Sequence, residues 1–396
     1  MMPNARGIPC FLRAVKRSVS VLGTTLLLSC NTSTDSPMIQ PQAWEVSLTN
    51  AWGGIAVDDR RYYVGTSTNG EILAIYRAAH KIAWRSPTVA GSYRAPEANV
   101  VLGLSIVVIG DGLLFAYDKT TGALRWTYRP AVGIAPGLYG LASDGTTVYA
   151  GSLSGDLYAV DAETGAERWR AHVSPVSSPP VSSASVGAFS PVLSGQLVLI
   201  GYKFFSNPVR GGIAAVNAQT GQLQWRRELD PAYPQTGSGV TLRPVVFQDM
   251  VIVANEDGRL FALALTDGSI RWNTERSVEL KALYDTRPLA LSGDTLIAGS
   301  DTETLSAYNV HTGKPLWSRN LHQGSISTPL VVDRGVAYYC SLTGVVFGAS
   351  TTDGHIVRAF GNNNNGREGP FLQYPAIIGD TIILPGVRAL YGFPLN

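Results

Sequence analysis

Few side chains in this 396-residue sequence are spaced to do covalent or metal chemistry. The five histidines stand at His80, His172, His311, His322 and His355, in turn-like settings or just past an aromatic, and none pairs at the spacing of a zinc ligand set. No serine sits in a nucleophile elbow, and no phosphate-cradling glycine loop or dinucleotide fingerprint is present. Asp301-Thr302-Glu303 and the run Asn362-Asn363-Asn364-Asn365 carry oxygen ligands of the calcium type, but acidic hairpin tips and Asn-rich loops share that composition. Of three cysteines, Cys340 lies in the run Ala337-Tyr338-Tyr339-Cys340 and reads as a small buried strand residue rather than a reactive thiol. The expectation is a chain without catalytic residues, metal or cofactor.

The elements that would have to position any site are written as a repeat. Val148-Tyr149-Ala150-Gly151 is a short β-branched and aromatic run, Ser154-Gly155 a turn, and Leu157-Tyr158-Ala159-Val160-Asp161 alternates at period two as a half-buried strand does. Asp161-Ala162-Glu163-Thr164-Gly165 then reverses the chain, with the carboxylate accepting backbone N–H bonds and Gly165 taking positive φ, into a strand ending at Trp169. Related turns lead to closing aromatics at Trp84, Trp126, Trp225, Trp272, Trp317 and Phe360, and Trp44 joins them as a blade-closing aromatic. The period, in the forties with several strands in each, is that of a β-propeller. Eight runs precede these turns, at 54–57, 104–109, 148–150, 197–200, 251–254, 295–298, 336–340 and 381–384. The last group has no tryptophan after it, whereas Trp44-Glu45-Val46 precedes the first group with no turn before it. The fold class expected is therefore all-β, one eight-bladed propeller over 43–396, with the N-terminal strand completing the last blade and removing the open edge.

Residues 1–29 stand outside the fold. Arg6, Arg13, Lys16 and Arg17 precede an apolar run at 19–28, too short to span a bilayer as a mature helix, and Cys30 follows. The arrangement resembles a bacterial lipoprotein signal, which implies cleavage before Cys30, lipidation of its thiol and amine, and export. Residues 30–42, rich in Ser, Thr and Pro, read as a flexible tether. Without the leader, 27 basic face 29 acidic groups, so no electrostatic footprint for nucleic acid survives.

Blade 4 is the irregular one. Its excess length falls at 173–190 and 202–212. Phe204-Phe205 beside Lys203 and Arg210 read as an exposed apolar tip rimmed by charge, with Arg243 at the entrance to blade 5, and these are the candidate partner-binding residues.

The Y.G...G.L.A.D..TG...W pattern resembles the pyrroloquinoline-quinone-type propeller repeat, over nearly all of the chain after the leader. Within that repeat the chain is most similar to the BamB family of the outer-membrane β-barrel assembly machinery. That resemblance implies a non-catalytic, lipid-anchored, periplasm-facing scaffold. Its partners would be a BamA-like assembly protein or unfolded outer-membrane proteins. The family's contact positions fall on 182–188, which holds neither leucine nor arginine, and on 239–244, which holds no acid. Two alternatives stay open: an exported propeller that senses or binds peptides, glycans or another envelope ligand, and a quinone-dependent dehydrogenase. The adjacent cysteine pair of the latter class is absent.

Overall fold

The computed structural model describes residues 39–395 apart from 41–42, 49–50, 67–69, 88–96, 111, 131–139, 176–185, 205–208, 230–237, 276–287, 301, 323–325, 327–328, 341–344, 362–374 and 387. Among the described residues all regular structure is strand, in eight antiparallel meanders. Blades 1 to 7 occupy 51–85, 97–128, 141–172, 186–228, 245–273, 289–320 and 331–361. Blade 8 takes three strands from 376–394 and its outer strand from Trp44–Ser47, which pairs antiparallel with Ala389–Pro394 (Trp44 opposite Gly392, Ser47 opposite Ala389). The expected closure by the N-terminal strand is thus the observed one.

Alternation along each strand puts one set of side chains toward the preceding blade and the other toward the following blade. The core is accordingly divided among the blade junctions, with one cluster of buried residues at each of the eight. At the closing junction Val46, Ile383 and Leu390 of blade 8 pack with Tyr62, Val64 and Leu73 of blade 1. Burial of each such side chain contributes about 1.5–3 kcal/mol, so a missing strand would forfeit two junction faces at once.

The repeated turns and tryptophans are one device. Asp118, Asp161, Asn217 and Asn309 each accept hydrogen bonds from the N–H groups two and three residues on and from the hydroxyl of the following Thr. That closes the turn and presents a positive-φ glycine. The outer-strand tryptophan of the preceding blade lies on this glycine and donates its Nε1–H to the carbonyl three residues earlier: Trp126 covers Gly165 and bonds Ala162 O at 3.1 Å, Trp169 covers Gly221 and bonds Ala218 O at 3.0 Å. Trp84, Trp225, Trp272 and Trp317 do the same on Gly122, Gly268, Gly313 and Gly354. Trp44 docks from blade 8 onto the turn between the third and fourth strands of blade 1, where His80 (φ 51°) replaces glycine and stacks on the indole at 4.1 Å between ring centroids.

Three expectations are corrected. Phe360 is buried at the junction of blades 7 and 8, against Phe393 and Tyr338, but it is not at the tryptophan register. That position belongs to Arg358, opposite Gly348. The reason lies in the closure: the third and fourth strands of blade 8 come from opposite ends of the chain, so no hairpin turn stands there for a tryptophan to cover. Residues 54–57 belong to the innermost strand of blade 1, Ala51–Val57, and the counterpart of 148–150 is Arg61–Thr66. Finally, Ile39–Gln40, assigned to the tether, pair in parallel with Ala359 and Phe360 of blade 7, and the compact unit runs Pro37–Asn396. Cys30 and Asn362-Asn363-Asn364-Asn365 lie outside the described residues.

Candidate functional site

The chain departs furthest from its own repeat at the shoulder between blades 4 and 5. Three strands of blade 4, Val186–Ser194, Leu197–Phe204 and Arg210–Asn217, hold 9, 8 and 8 residues, against 7 for the next longest described strand. Much of the extra length expected as loop is therefore hairpin, with Tyr202 opposite Gly212 and Phe204 opposite Arg210. The extension settles Phe204. Period-two alternation keeps it on the face of Ile200 and Tyr202, toward blade 3, where it is 8% exposed within the junction core. Phe204 is thus not an exposed tip, and its companion Phe205 lies outside the described residues. The Arg210 guanidinium sits 6.0 Å from the centre of the Phe204 ring and pairs with Glu228, its side chain half-exposed.

Across this hairpin runs the segment that leads into blade 5. Ser238 N donates to Val209 O (3.1 Å), Val240 N to Tyr202 O (3.3 Å) and Gly211 N to the Ser238 hydroxyl (3.2 Å). Glu256 N, in the hairpin turn of blade 5, donates to Gly239 O at 3.0 Å. The approach is close enough that glycine is required: a Cβ on Gly211 would fall 2.7 Å from the Gly239 Cα, and one on Gly201 would strike the Val240 carbonyl. Ser190, in a bulge at φ 53°, fixes the far end by donating its hydroxyl to Thr241 O at 2.9 Å.

Beneath the segment lies an ion pair that sequence reasoning missed. Lys203 Nζ is 2.5 Å from Glu256 Oε1, with both side chains largely buried. Such a pair contributes less to stability than its removal on one side costs, about 3–5 kcal/mol, because the survivor is left charged and buried. Asn255 and Asp257 flank Glu256 and are buried too; Asn255 Oδ1 accepts from Arg259 N at 2.9 Å, while Asn255 Nδ2 and Glu256 Oε2 have no hydrogen-bond partner among the described residues. The available signal was the acid-rich tip Asn255-Glu256-Asp257-Gly258, where blade 3 carries Ser152-Leu153-Ser154-Gly155. Arg243 follows the anchored segment and is exposed. The shoulder can present cations, exposed Arg243 and half-exposed Arg210, from a backbone tied down on both sides.

Two titrating groups elsewhere are shifted by their surroundings in the fold. Burial pushes the Cys340 thiol up to about 12, so it is a protonated core residue. Burial would also raise Asp144, but hydrogen bonds from Thr146 N–H, the Tyr149 hydroxyl and Thr147 N–H overcome it and bring the carboxyl down to about 2. Among the described residues no three His, Cys, Asp or Glu side chains gather as a metal site.

Comparison with known proteins follows the same lines. A family model described as outer membrane protein assembly factor BamB matches residues 41–137 and 110–360. The BamB of Yersinia pestis is 27% identical over 234 residues, 56% of this chain and 56% of that protein, so the chain spans about half of that relative's length in the match. A quinohemoprotein alcohol dehydrogenase of Comamonas testosteroni is 34% identical over 145 residues, 34% of this chain and 20% of the enzyme. The crystal structure of BamB from Moraxella catarrhalis superposes with a TM-score of 0.69 at 21% identity, covering 90% of this chain and 100% of that one, a likeness of fold. With the family model matching along most of the propeller, the chain belongs to the family of the outer membrane protein assembly factor BamB.

Proposed function

We propose that the protein is a non-catalytic, lipid-anchored scaffold of the cell envelope that assists outer-membrane β-barrel assembly. The family match across residues 41–360 carries this reading. Cys30 is the anchoring residue and holds the propeller to the outer membrane, facing the periplasm. The partner is a BamA-like assembly protein or an unfolded outer-membrane protein, engaged at the shoulder of blades 4 and 5. Support for that placement is local: the shoulder is the largest departure from the repeat among the described residues, its backbone is tied by hydrogen bonds on both sides, and it carries exposed Arg243 and half-exposed Arg210. Arginines on a rigid base suit an interface anchor, whose truncation costs binding of about 2 kcal/mol or more with little cost in folding.

The test is capture of the assembly partner by purified wild-type protein and by Arg243→Ala. The variant is expected to retain the wild-type melting temperature and lose capture. Full capture by Arg243→Ala and by Arg210→Ala would remove the shoulder as the contact, and no capture by the wild type would remove the scaffold role.

A further inference from the structure

The junction of blades 5 and 6 differs from the other seven at one register position. Each third strand places a side chain, one residue before the partner of the docking tryptophan or its equivalent, into the wedge toward the preceding blade. Leu73, Phe115, Tyr158, Phe261, Phe347 and Tyr391 fill six wedges in this way. In blade 4 the residue is Ala214, and Tyr202 and Phe204 occupy the space. Blade 6 alone has a polar residue there, Ser306. A cleft of about 910 Å³ opens between blades 5 and 6.

The lining of that cleft is as unusual as its existence. Strand pairing puts Thr304 opposite Asn320 and Ser306 opposite Ser318, so that four hydrogen-bonding side chains share the face turned to blade 5. Ser306 is 5% exposed and its Oγ lies 2.9 Å from Ser318 Oγ. Thr302 extends the row at one end and Tyr308, on the same face of the strand, supplies an aromatic surface at the other. Among the described lining residues the charged ones are Glu275 and Lys314.

We propose that this cleft is a binding site for a neutral saccharide chain. Hydroxyl and amide side chains both donate and accept, which matches the two-way hydrogen bonding of sugar hydroxyls, whereas an anionic ligand would be served by cations, of which the described lining has Lys314. Tyr308 offers the apolar face of the sugar ring a surface to lie on. An extended peptide is served less well, because the cleft is walled by the face of a sheet and not by a strand edge with a free ladder of backbone partners. This inference is independent of the blade 4–5 shoulder.

The test uses the full mature chain titrated calorimetrically with maltotetraose, with an N-acetylglucosamine tetrasaccharide and with the neutral peptide Gly-Ser-Thr-Tyr-Gly-Ser. Saturable binding of at least one tetrasaccharide with a Kd of about 1 mM or tighter is expected. Ser306→Tyr restores the bulk found in other blades; it is expected to raise the melting temperature while weakening the sugar at least about tenfold. The shape-preserving pair Thr304→Val with Ser318→Ala should leave the melting temperature unchanged and weaken the sugar as much, while Arg243→Ala should leave sugar binding intact. The proposal is overturned if neither tetrasaccharide binds, if the peptide binds in their place, or if both the filled and the hydroxyl-stripped variants bind sugar as the wild type does.

Discussion

At the scale of single residues, the most informative positions are glycines whose left-handed backbone and lack of a side chain are both in use. Gly165 has φ +74°, and a Cβ there would stand 2.7 Å from Cδ2 of the Trp126 indole; Gly195 has φ +57° with nothing within 4 Å. Alanine at either position incurs the left-handed strain, roughly 1–2 kcal/mol. Only at Gly165 must it also displace a docked ring, adding about 1–3 kcal/mol. Chemical denaturation of Gly165→Ala and Gly195→Ala should therefore show the first to be clearly the less stable; equal losses would mean that the indole is not held on the turn. The turn motif was legible in the sequence because Asp, Thr and Gly act within five residues of one another. The partner ring, about forty residues away, was legible only through its recurrence.

Strands and blades raise a different question, since an element's worth depends on where the chain places it. Trp44–Ser47 is four residues long, yet it completes blade 8, docks Trp44 on His80 and contributes Val46 to the closing junction. Deleting 44–48 exposes the edge of Ala389–Pro394 and strips that junction, so a large fall in melting temperature or outright failure to fold is expected. Deleting 31–36, which precedes the compact unit, should leave the melting temperature unchanged. Similar losses from the two deletions would refute closure by this strand. The tether boundary drawn from composition was too late, because Ile39–Gln40 gain a parallel pairing with blade 7 that no local pattern announces. Parallel pairing with a strand more than three hundred residues away leaves no trace in a short window.

For the whole molecule, the proposed attachment is separable from folding. Cys30 precedes the compact unit, and the core of the propeller is built from junctions within 44–395. Cys30→Ala is expected to move the protein from the membrane pellet to the soluble fraction with its melting temperature intact. Persistence in the pellet after a high-salt wash would place the anchor elsewhere. The same separation bears on partner capture: a soluble Cys30→Ala protein should still hold its partner in solution if the shoulder alone makes the contact.

What the sequence by itself determined is whatever local grammar encodes. Period-two alternation, Asx-type turns ending in glycine and a tryptophan every forty-odd residues suffice for an all-β ring of eight blades. The unmatched Trp44-Glu45-Val46 suffices for its closure, because an incomplete first copy and an incomplete last copy can complete each other. Tertiary structure alone decided the faces and the gaps. Phe204 became core because the blade 4 hairpin extended in register, Arg358 took the place expected for an aromatic because blade 8 has no hairpin turn to cover, Lys203 met Glu256 across two blades, and Ser306 came to line a cleft between blades 5 and 6. Each of these depends on which blade face meets which, a relation between residues roughly forty or more positions apart that packing of the closed ring imposes and local pattern does not contain.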